Sequence, residues 1–258
     1  MPSCGGVPDI GRLRETGSVM ESSVRLWTPG RPLDLLATIG GLRHGHGDPA
    51  FGHDPDGTIW RGIRTPLGPS TLRLRSVQGS TIEAMAWGGG SEWVLASVPT
   101  MLGEQDDATG FVSHHPQVAD AARRFSGWRV PRTDLVVEAL IPSIIGQKVT
   151  GQEASGSYRT LVHRYGERAP GEGGERGLWV APGASGWARI PSWEWLRAVV
   201  AGAGPAAVVR AAGCAGRLEQ AADLTPDQAD RRSPALTRDG AGAAGARARP
   251  RPAGRARR

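Results

Sequence analysis

Cysteine and lysine are scarce in this 258-residue chain, which has two cysteines and one lysine. Cys4 and Cys214 are too few for a disulfide framework, a cysteine-based zinc site or a four-cysteine iron-sulfur cluster, and no cofactor is expected. Long apolar runs are also missing, since the longest, Leu135–Ile145, contains Glu138 and falls far short of the roughly 20 residues of a transmembrane helix. The first ten residues lack the basic start and apolar stretch of a signal peptide. We therefore expect a cytoplasmic protein with no membrane partner.

The positive charge is concentrated at the C-terminal end. The formal net charge is +6, and residues 231–258 contain nine arginines and one aspartate, which leaves residues 1–230 slightly acidic. The tail over 233–258 consists almost entirely of Arg, Ala, Gly and Pro, a composition that cannot bury a core, and we expect it to be disordered. These residues have G/C-rich codons, so one hypothesis is an out-of-frame reading of the gene. The other is a basic tail that binds nucleic acid non-specifically, which would make the protein nucleoid-associated.

The N-terminal half predicts a sheet. Residues 1–22 show no periodicity and are predicted to be a flexible leader, and residues 32–39 predict a short helix. Asp54–Gly57 is a strong turn signal between two short segments and predicts a hairpin. Alternating apolar residues predict further strands over 23–27, 58–64, 70–77 and 81–87. Residues 23–110 are therefore predicted to form an N-terminal domain built on an antiparallel sheet with one or two helices.

Helical patterns replace the strand patterns after about residue 110, so residues 111–232 are predicted to form an all-helical domain. Apolar spacing predicts helices over 134–145 and 150–165, joined by a tight turn. Thr150 and Glu153 have the spacing of a capping box at the start of the second helix. Further helices are predicted over 116–125, 192–200, 205–212 and 217–224, with another beginning at Thr225, whereas the Gly- and Pro-rich stretch 167–189 predicts an exposed loop. The overall fold class is α+β.

One segment resembles a known family. Residues 135–150, LVVEALIPSIIGQKVT, followed by LVHRYGE at 161–167, resemble the alkylated-base DNA glycosylases of the 3-methyladenine DNA glycosylase II type, which belong to the helix-hairpin-helix superfamily. In that family a Gly-Gln-x-Val-Ser/Thr turn ends one core helix, and the next helix closes on Tyr-Gly or Phe-Gly. Residues 190–224 continue the resemblance, and the sheet-rich residues 23–100 fit the family's N-terminal domain, so it extends over most of the chain.

The resemblance implies a monofunctional DNA glycosylase of base excision repair. Such an enzyme binds double-stranded alkylated DNA, extrudes the damaged base into a pocket between its two domains and hydrolyses the N-glycosidic bond. Aromatic faces stack on the cationic base, and an Asp carboxylate stabilises the transition state. On this sequence the resemblance assigns DNA contact to Gln147 and Lys148 of the turn. Lys148 stands at the wedge position, where the family often has a bulky apolar residue. No protein partner is implied.

The resemblance stops at the family's hairpin. A Leu-Pro-Gly-Val-Gly type hairpin is expected just after Arg232, with a catalytic Asp further on, but Arg238-Asp239 replaces the apolar lead-in and no Asp or Glu follows Asp239. No catalytic residue is therefore assigned, and we interpret the chain as a glycosylase truncated before its hairpin and catalytic Asp. Two alternatives stay open, a non-catalytic DNA-binding remnant and an inactive frameshifted product.

Several other residues have two interpretations. His44, His46 and His53 lie close in sequence, but no carboxylate or cysteine pattern accompanies them, so we expect solvated loop residues and no metal site. Trp193 and Trp195 are two residues apart and cannot share a helix face. We therefore expect one of them in the core and the other exposed or between the domains.

Overall fold

The computed structural model describes residues 22–78, 80–200, 202–224 and 228. Over these residues the chain is α+β, with a five-stranded antiparallel sheet followed mainly by helices, which confirms the predicted fold class. The leader before Ser22, the helix start at Thr225 and the tail over 233–258 lie outside the described residues. None of the described helices is both long and apolar enough to cross a membrane.

The sheet contains the strands predicted from the alternating pattern. They are β1 Ser22–Trp27, β2 Phe51–His53, β3 Ile59–Thr65, β4 Gly68–Ser76 and β5 Ile82–Trp87. Their spatial order is β1-β5-β4-β3-β2, and each neighbouring pair is antiparallel. The predicted turn joins β2 to β3, where the Gly57 N–H donates to the Asp54 carbonyl at 3.0 Å. Gly57 has a φ of 88°, a conformation that disfavours any side chain.

One face of the sheet packs against two helices, α1 Leu35–Ile39 and α2 Ser91–Met101. A 3-10 turn, Gly40–Leu42, extends α1 toward β2. Ile59 of β3 lies opposite Leu74 of β4, and both are fully buried against the helices. The core on this face is lined by Ile63, Leu72, Ala84, Ala86, Val94 and Val98. Leu72 and Leu74, two residues apart on β4, thus face the same core, as the pleat of a β-strand requires.

The opposite face of the sheet is covered by the glycine-rich segment after residue 166. This segment forms β6 Glu167–Arg168, α6 Glu172–Glu175 and β7 Trp179–Val180. The prediction of an exposed loop over 167–189 is wrong, because Leu178 and Trp187 are buried. A Cβ at Gly62 would lie only 2.1 Å from the Trp179 carbonyl oxygen. The glycines of the two layers therefore permit close approach of backbone to backbone rather than flexibility.

The remaining helices, except the first of them, contribute to a second core. They are α3 Pro116–Arg124, α4 Val136–Ile145, α5 Gly151–Tyr165, α7 Ala184–Ala188, α8 Ser192–Arg197, α9 Gly204–Gly213 and α10 Ala215–Glu219, with a 3-10 turn at Gln220–Asp223. Buried residues of α4, α5, α7, α8 and α9 pack together in this core. Trp195 is 1% exposed within it and Trp193 is 64% exposed, as their spacing predicts.

The turn between α4 and α5 has the predicted cap. The Thr150 hydroxyl accepts from the Glu153 N–H at 3.3 Å, and the Glu153 carboxylate accepts from the Thr150 N–H at 2.8 Å. The capping box is therefore confirmed. It fixes where α5 begins and so sets the direction in which the preceding turn projects.

Candidate functional site

A cavity of about 270 Å³ lies where the sheet meets the helices, and we call it the inner cavity. Its walls come from the loop before β2, from β3, and from α4, α5, α7 and α10. The lining combines apolar side chains with a few charged ones, among them Phe51, Arg61, Glu138, Tyr158, Trp187 and Glu219. Concave sites with mostly apolar walls and a few convergent polar groups are the usual form of a small-molecule site.

One wall of the inner cavity is aromatic. The rings of Tyr158 and Trp187 stack with centroids 6.3 Å apart and planes 24° from parallel, and Trp187 stacks in turn on Trp195 at 6.2 Å. The Trp195 indole N–H donates to the Ile190 carbonyl at 3.2 Å, and this hydrogen bond fixes the innermost of the three stacked rings. Burial, aided by the nearby Asp48 and Glu138 carboxylates, raises the pKa of the Tyr158 hydroxyl well above its ordinary value. Tyr158 therefore stays neutral and offers an uncharged aromatic surface to a ligand.

A loop before β2 places His44 in the same cavity. Asp48 accepts from the backbone N–H groups of His44 at 2.7 Å and Ala50 at 2.9 Å, so its carboxylate holds the loop in shape. The His44 ring meets the Tyr158 ring edge-on, with centroids 4.9 Å apart. Burial lowers the pKa of the His44 imidazole and outweighs the opposite effect of the Asp48 and Glu138 carboxylates. His44 is therefore neutral near pH 7.

A buried ion pair joins the sheet to the helices across the inner cavity. Arg61 of β3 and Glu138 of α4 form an Nη2 to Oε1 contact of 2.5 Å, with side chains 5% and 15% exposed. Arg61 also donates to the Met101 sulfur at 3.6 Å. The second carboxylate oxygen of Glu138 is buried and has no hydrogen-bond donor among the described residues. Leaving a buried carboxylate oxygen without a hydrogen bond costs free energy. A ligand that donates a hydrogen bond to this oxygen would therefore bind more favourably.

Glu219 of α10 caps the first turn of α4 beside the inner cavity. Its two carboxylate oxygens accept from the Val136 and Val137 N–H groups at 2.8 and 3.0 Å. No side chain at Leu135 caps this helix, so Glu219 satisfies the free N–H groups at the start of α4 from another helix. Because α4 carries Glu138, this contact positions Glu138 at the cavity.

A second, wider space lies beside the inner cavity, and we call it the outer groove. It has a volume of about 810 Å³ and runs along the first turns of α5, past Gly151, Gln152 and Ser155. His44 and Tyr158, together with Pro142, line both spaces. The three residues therefore stand between the groove and the cavity.

The two residues predicted to contact DNA lie in the turn at the entrance to α5. Gln147 and Lys148 are exposed, and Gly151 of the outer groove follows directly after this turn. Lys148 has a φ of 62°, a left-handed conformation that is uncommon for a residue with a side chain. The structure thus places both side chains at the surface, a few residues before Gly151 in the chain, and their role in DNA contact stays a prediction.

The structure brings together residues that sequence reasoning did not assign to a site. A carboxylate was sought only beyond the hairpin expected after Arg232, yet Asp48, Glu138 and Glu219 all line the inner cavity. The signal in the sequence was Glu138, the one charge in the apolar run of α4.

The expectation of a solvated His44 is wrong, since the His44 side chain is half-buried against Tyr158, whereas His46 is exposed as predicted. Within the described ranges, no three His, Cys, Asp or Glu side chains are grouped to hold a metal ion.

Comparison with known proteins agrees with the resemblance found in the sequence. No protein-family model and no curated protein matches the chain. Solved structures of DNA glycosylases do match. A 3-methyladenine DNA glycosylase from Archaeoglobus fulgidus is similar with a TM-score of 0.66 and 14% identity, over 80% of this chain and 72% of that one. An 8-oxoguanine glycosylase/lyase from Clostridium acetobutylicum in its apo form is similar with a TM-score of 0.60 and 10% identity, over 90% of this chain and 74% of that one.

The same clostridial enzyme, in complex with double-stranded DNA containing cytosine opposite 8-oxoguanine, is similar with a TM-score of 0.59 and 10% identity, over 90% of this chain and 73% of that one. At identities this low the likeness is one of fold. The described residues share the fold of these solved DNA glycosylases, as the sequence resemblance predicts.

Proposed function

We propose that this protein is a DNA repair protein of the glycosylase kind, which binds double-stranded DNA and receives an extruded alkylated purine in its inner cavity. One observation carries the proposal. The exposed turn at Gln147 and Lys148, the outer groove and the inner cavity follow one another along α5, in a fold that known DNA glycosylases share. Base-extruding enzymes need this sequence of parts, namely a contact at the duplex, a channel and a closed pocket. Association with the nucleoid follows from the same proposal.

The exposed turn would act at the duplex. Lys148 offers an ammonium group to a phosphate or a base edge, and Gln147 offers an amide. A lysine fills the gap left by an extruded base less completely than a bulky apolar side chain would. We therefore expect Lys148→Ala to weaken duplex binding and to reduce its salt dependence, because one phosphate contact is lost.

The inner cavity favours a base that carries positive charge. Three carboxylates line it, from Asp48, Glu138 and Glu219, against the two guanidinium groups of Arg61 and Arg64. Methylation of a purine ring nitrogen leaves the base cationic, and the aromatic faces of Tyr158 and Trp187 attract a cation. Charge and stacking thus both support an alkylated base over an unmodified one.

Glu138 is the carboxylate we propose for the chemical step. As the N-glycosidic bond breaks, positive charge develops on the sugar, and a buried carboxylate nearby stabilises it. Both oxygens of Asp48 and of Glu219 already accept backbone N–H groups. Glu138 has one oxygen paired with Arg61 and one without a donor in the described part of the chain.

The test is incubation of the purified protein with methylated duplex DNA, followed by chromatography of the released bases. We expect free 3-methyladenine or 7-methylguanine above the uncatalysed background and a loss of at least tenfold in Glu138→Gln. Glu92→Gln, an exposed change in the first turn of α2, is the matched control and should be unchanged. Absence of base release from wild-type protein would contradict the enzymatic proposal.

A second candidate function is lesion-indifferent DNA binding without base release. The observation that favours it is that Asp48 and Glu219 are fully engaged in structural hydrogen bonds and that Glu138 is paired with Arg61. In that case the protein would bind methylated and unmethylated duplexes equally, with steep salt dependence. Equal affinities for methylated and unmethylated duplexes, together with no released base, would support this second candidate.

A further inference from the structure

His44 occupies a position that the proposed function does not yet use. Together with Pro142 and Tyr158 it lines both the outer groove and the inner cavity. A base that moves from the groove into the cavity must pass the imidazole or come to rest against it. The side chain at this position therefore meets a ligand that reaches the cavity through the groove.

The position of His44 is fixed from three directions. Its own N–H donates to Asp48, and its ring lies edge-on against Tyr158. The next residue, Gly45, has a φ of 78° and approaches α5 so closely that a Cβ would lie 1.9 Å from the Ser155 hydroxyl oxygen. The loop is thus pressed against the helix through a glycine, and the imidazole has little freedom to swing away.

Charged and titratable groups face the imidazole from each element packed around it. Asp48 comes from its own loop, Glu138 from α4, Arg61 from β3 and Tyr158 from α5. The two carboxylates attract a positive charge at this point, and the guanidinium group repels it. A proton on His44 would add a positive charge to that of Arg61, and this charge would lie directly in the path of a cationic base.

We propose that His44 is a specificity-determining residue, which admits a cationic base to the inner cavity while its imidazole is uncharged and rejects that base once the imidazole is protonated. This inference rests on the proposed function, since it concerns the ligand of the same cavity. Because burial holds the pKa of His44 below the ordinary histidine value, the imidazole is uncharged near neutral pH and becomes charged in the acid range. Selection for a cationic base is accordingly lost as the pH falls.

The test compares two duplexes from pH 7.5 to pH 4.5 by fluorescence anisotropy at constant ionic strength. One carries a single 1-methyladenine, which remains cationic over this range, and the other carries an abasic-site analogue with no base to enter the cavity. The measured quantity is the ratio of the two affinities. For wild-type protein we expect this ratio to fall about tenfold or more toward acid pH, as repulsion between two nearby charges requires.

Two variants give the inference its control. His44→Gln cannot become charged, so its ratio should stay within about twofold across the range. His53→Gln changes an exposed histidine of β2 that lines neither the groove nor the cavity, and it should behave like wild type. Circular dichroism at each pH establishes that the variants are folded. An equal fall in His44→Gln, or a flat ratio in wild type, would overturn the inference while leaving DNA binding itself intact.

Loss of binding to every duplex would instead contradict the proposed function, and a measurement without DNA then decides the role of His44. Free 1-methyladenosine is titrated against the imidazole resonances in an NMR spectrum, with the His44 signal assigned from the His44→Gln variant. A shift of the His44 signal that weakens in acid supports the inference. No shift of this signal at neutral pH would refute it.

Discussion

The buried pair of Arg61 and Glu138 allows a quantitative prediction. Its side chains are 5% and 15% exposed, and the pair joins the sheet to the helices. Removing one partner of a buried pair leaves the other charge uncompensated, at a cost of about 3–5 kcal/mol. Because Glu138 retains some solvent contact, we expect Glu138→Ala to lower the free energy of unfolding by about 3 kcal/mol, near the lower end of that range.

The matched control is a second pair formed by the same strand. Arg64 and Glu167 are 28% and 49% exposed, so water already screens their interaction. Exposed pairs contribute about 0–1 kcal/mol, and Glu167→Ala should change the free energy of unfolding by no more than that. The assay is guanidinium denaturation followed by tryptophan fluorescence, with the denaturant slope compared between variants.

A third variant separates the charge effect from packing. In Arg61→Met/Glu138→Leu both charges are replaced by apolar side chains, and the stability should return to within about 1 kcal/mol of wild type or exceed it. The reasoning would be refuted if Glu138→Ala and Glu167→Ala were equally mild, or if the double variant were less stable than Glu138→Ala.

Three further predictions concern the folding contacts. Gly62→Ala places a Cβ against the Trp179 carbonyl and should destabilise the protein by about 3 kcal/mol, measured by denaturation. Thr150→Ala removes the cap of α5 and should cost about 1 kcal/mol in the same assay, with Thr150→Ser restoring most of it. Trp195→Ala should cost about 3–5 kcal/mol and Trp193→Ala less than about 0.5 kcal/mol, so similar losses for the two would contradict the assigned core.

Local pattern predicted the five strands of the sheet and most helices after residue 110, because their apolar residues are regularly spaced. It did not predict α2 or the elements within 167–189. The alternation over 58–64, the turn at Asp54–Gly57 and the Thr150 cap all predict structure that is observed. The segment 167–189 was mispredicted because its glycines meet partners distant in sequence. Glycine composition alone does not separate a flexible loop from a backbone packed tightly against a sheet.

The candidate site was harder to predict, because its parts are far apart in the chain. His44 and Arg61 precede the helices, while Glu138, Tyr158 and Trp187 come from three different ones. Only the topology brings them together. The resemblance directed attention to the turn at 147–148 and to a region after 232. His44, Arg61 and Trp187 lie outside the quoted motif, and Glu138 lies inside it at 135–150 but was not singled out.

The most direct test of the central claim is to find where an extruded base rests. A duplex with one photoreactive base at the lesion position is irradiated in complex with the protein, and the cross-linked peptide is identified by mass spectrometry. The account predicts attachment within the inner cavity, at Phe51, Tyr158 or Trp187. Attachment confined to residues 1–21 or 229–258, with none in the cavity, would contradict it.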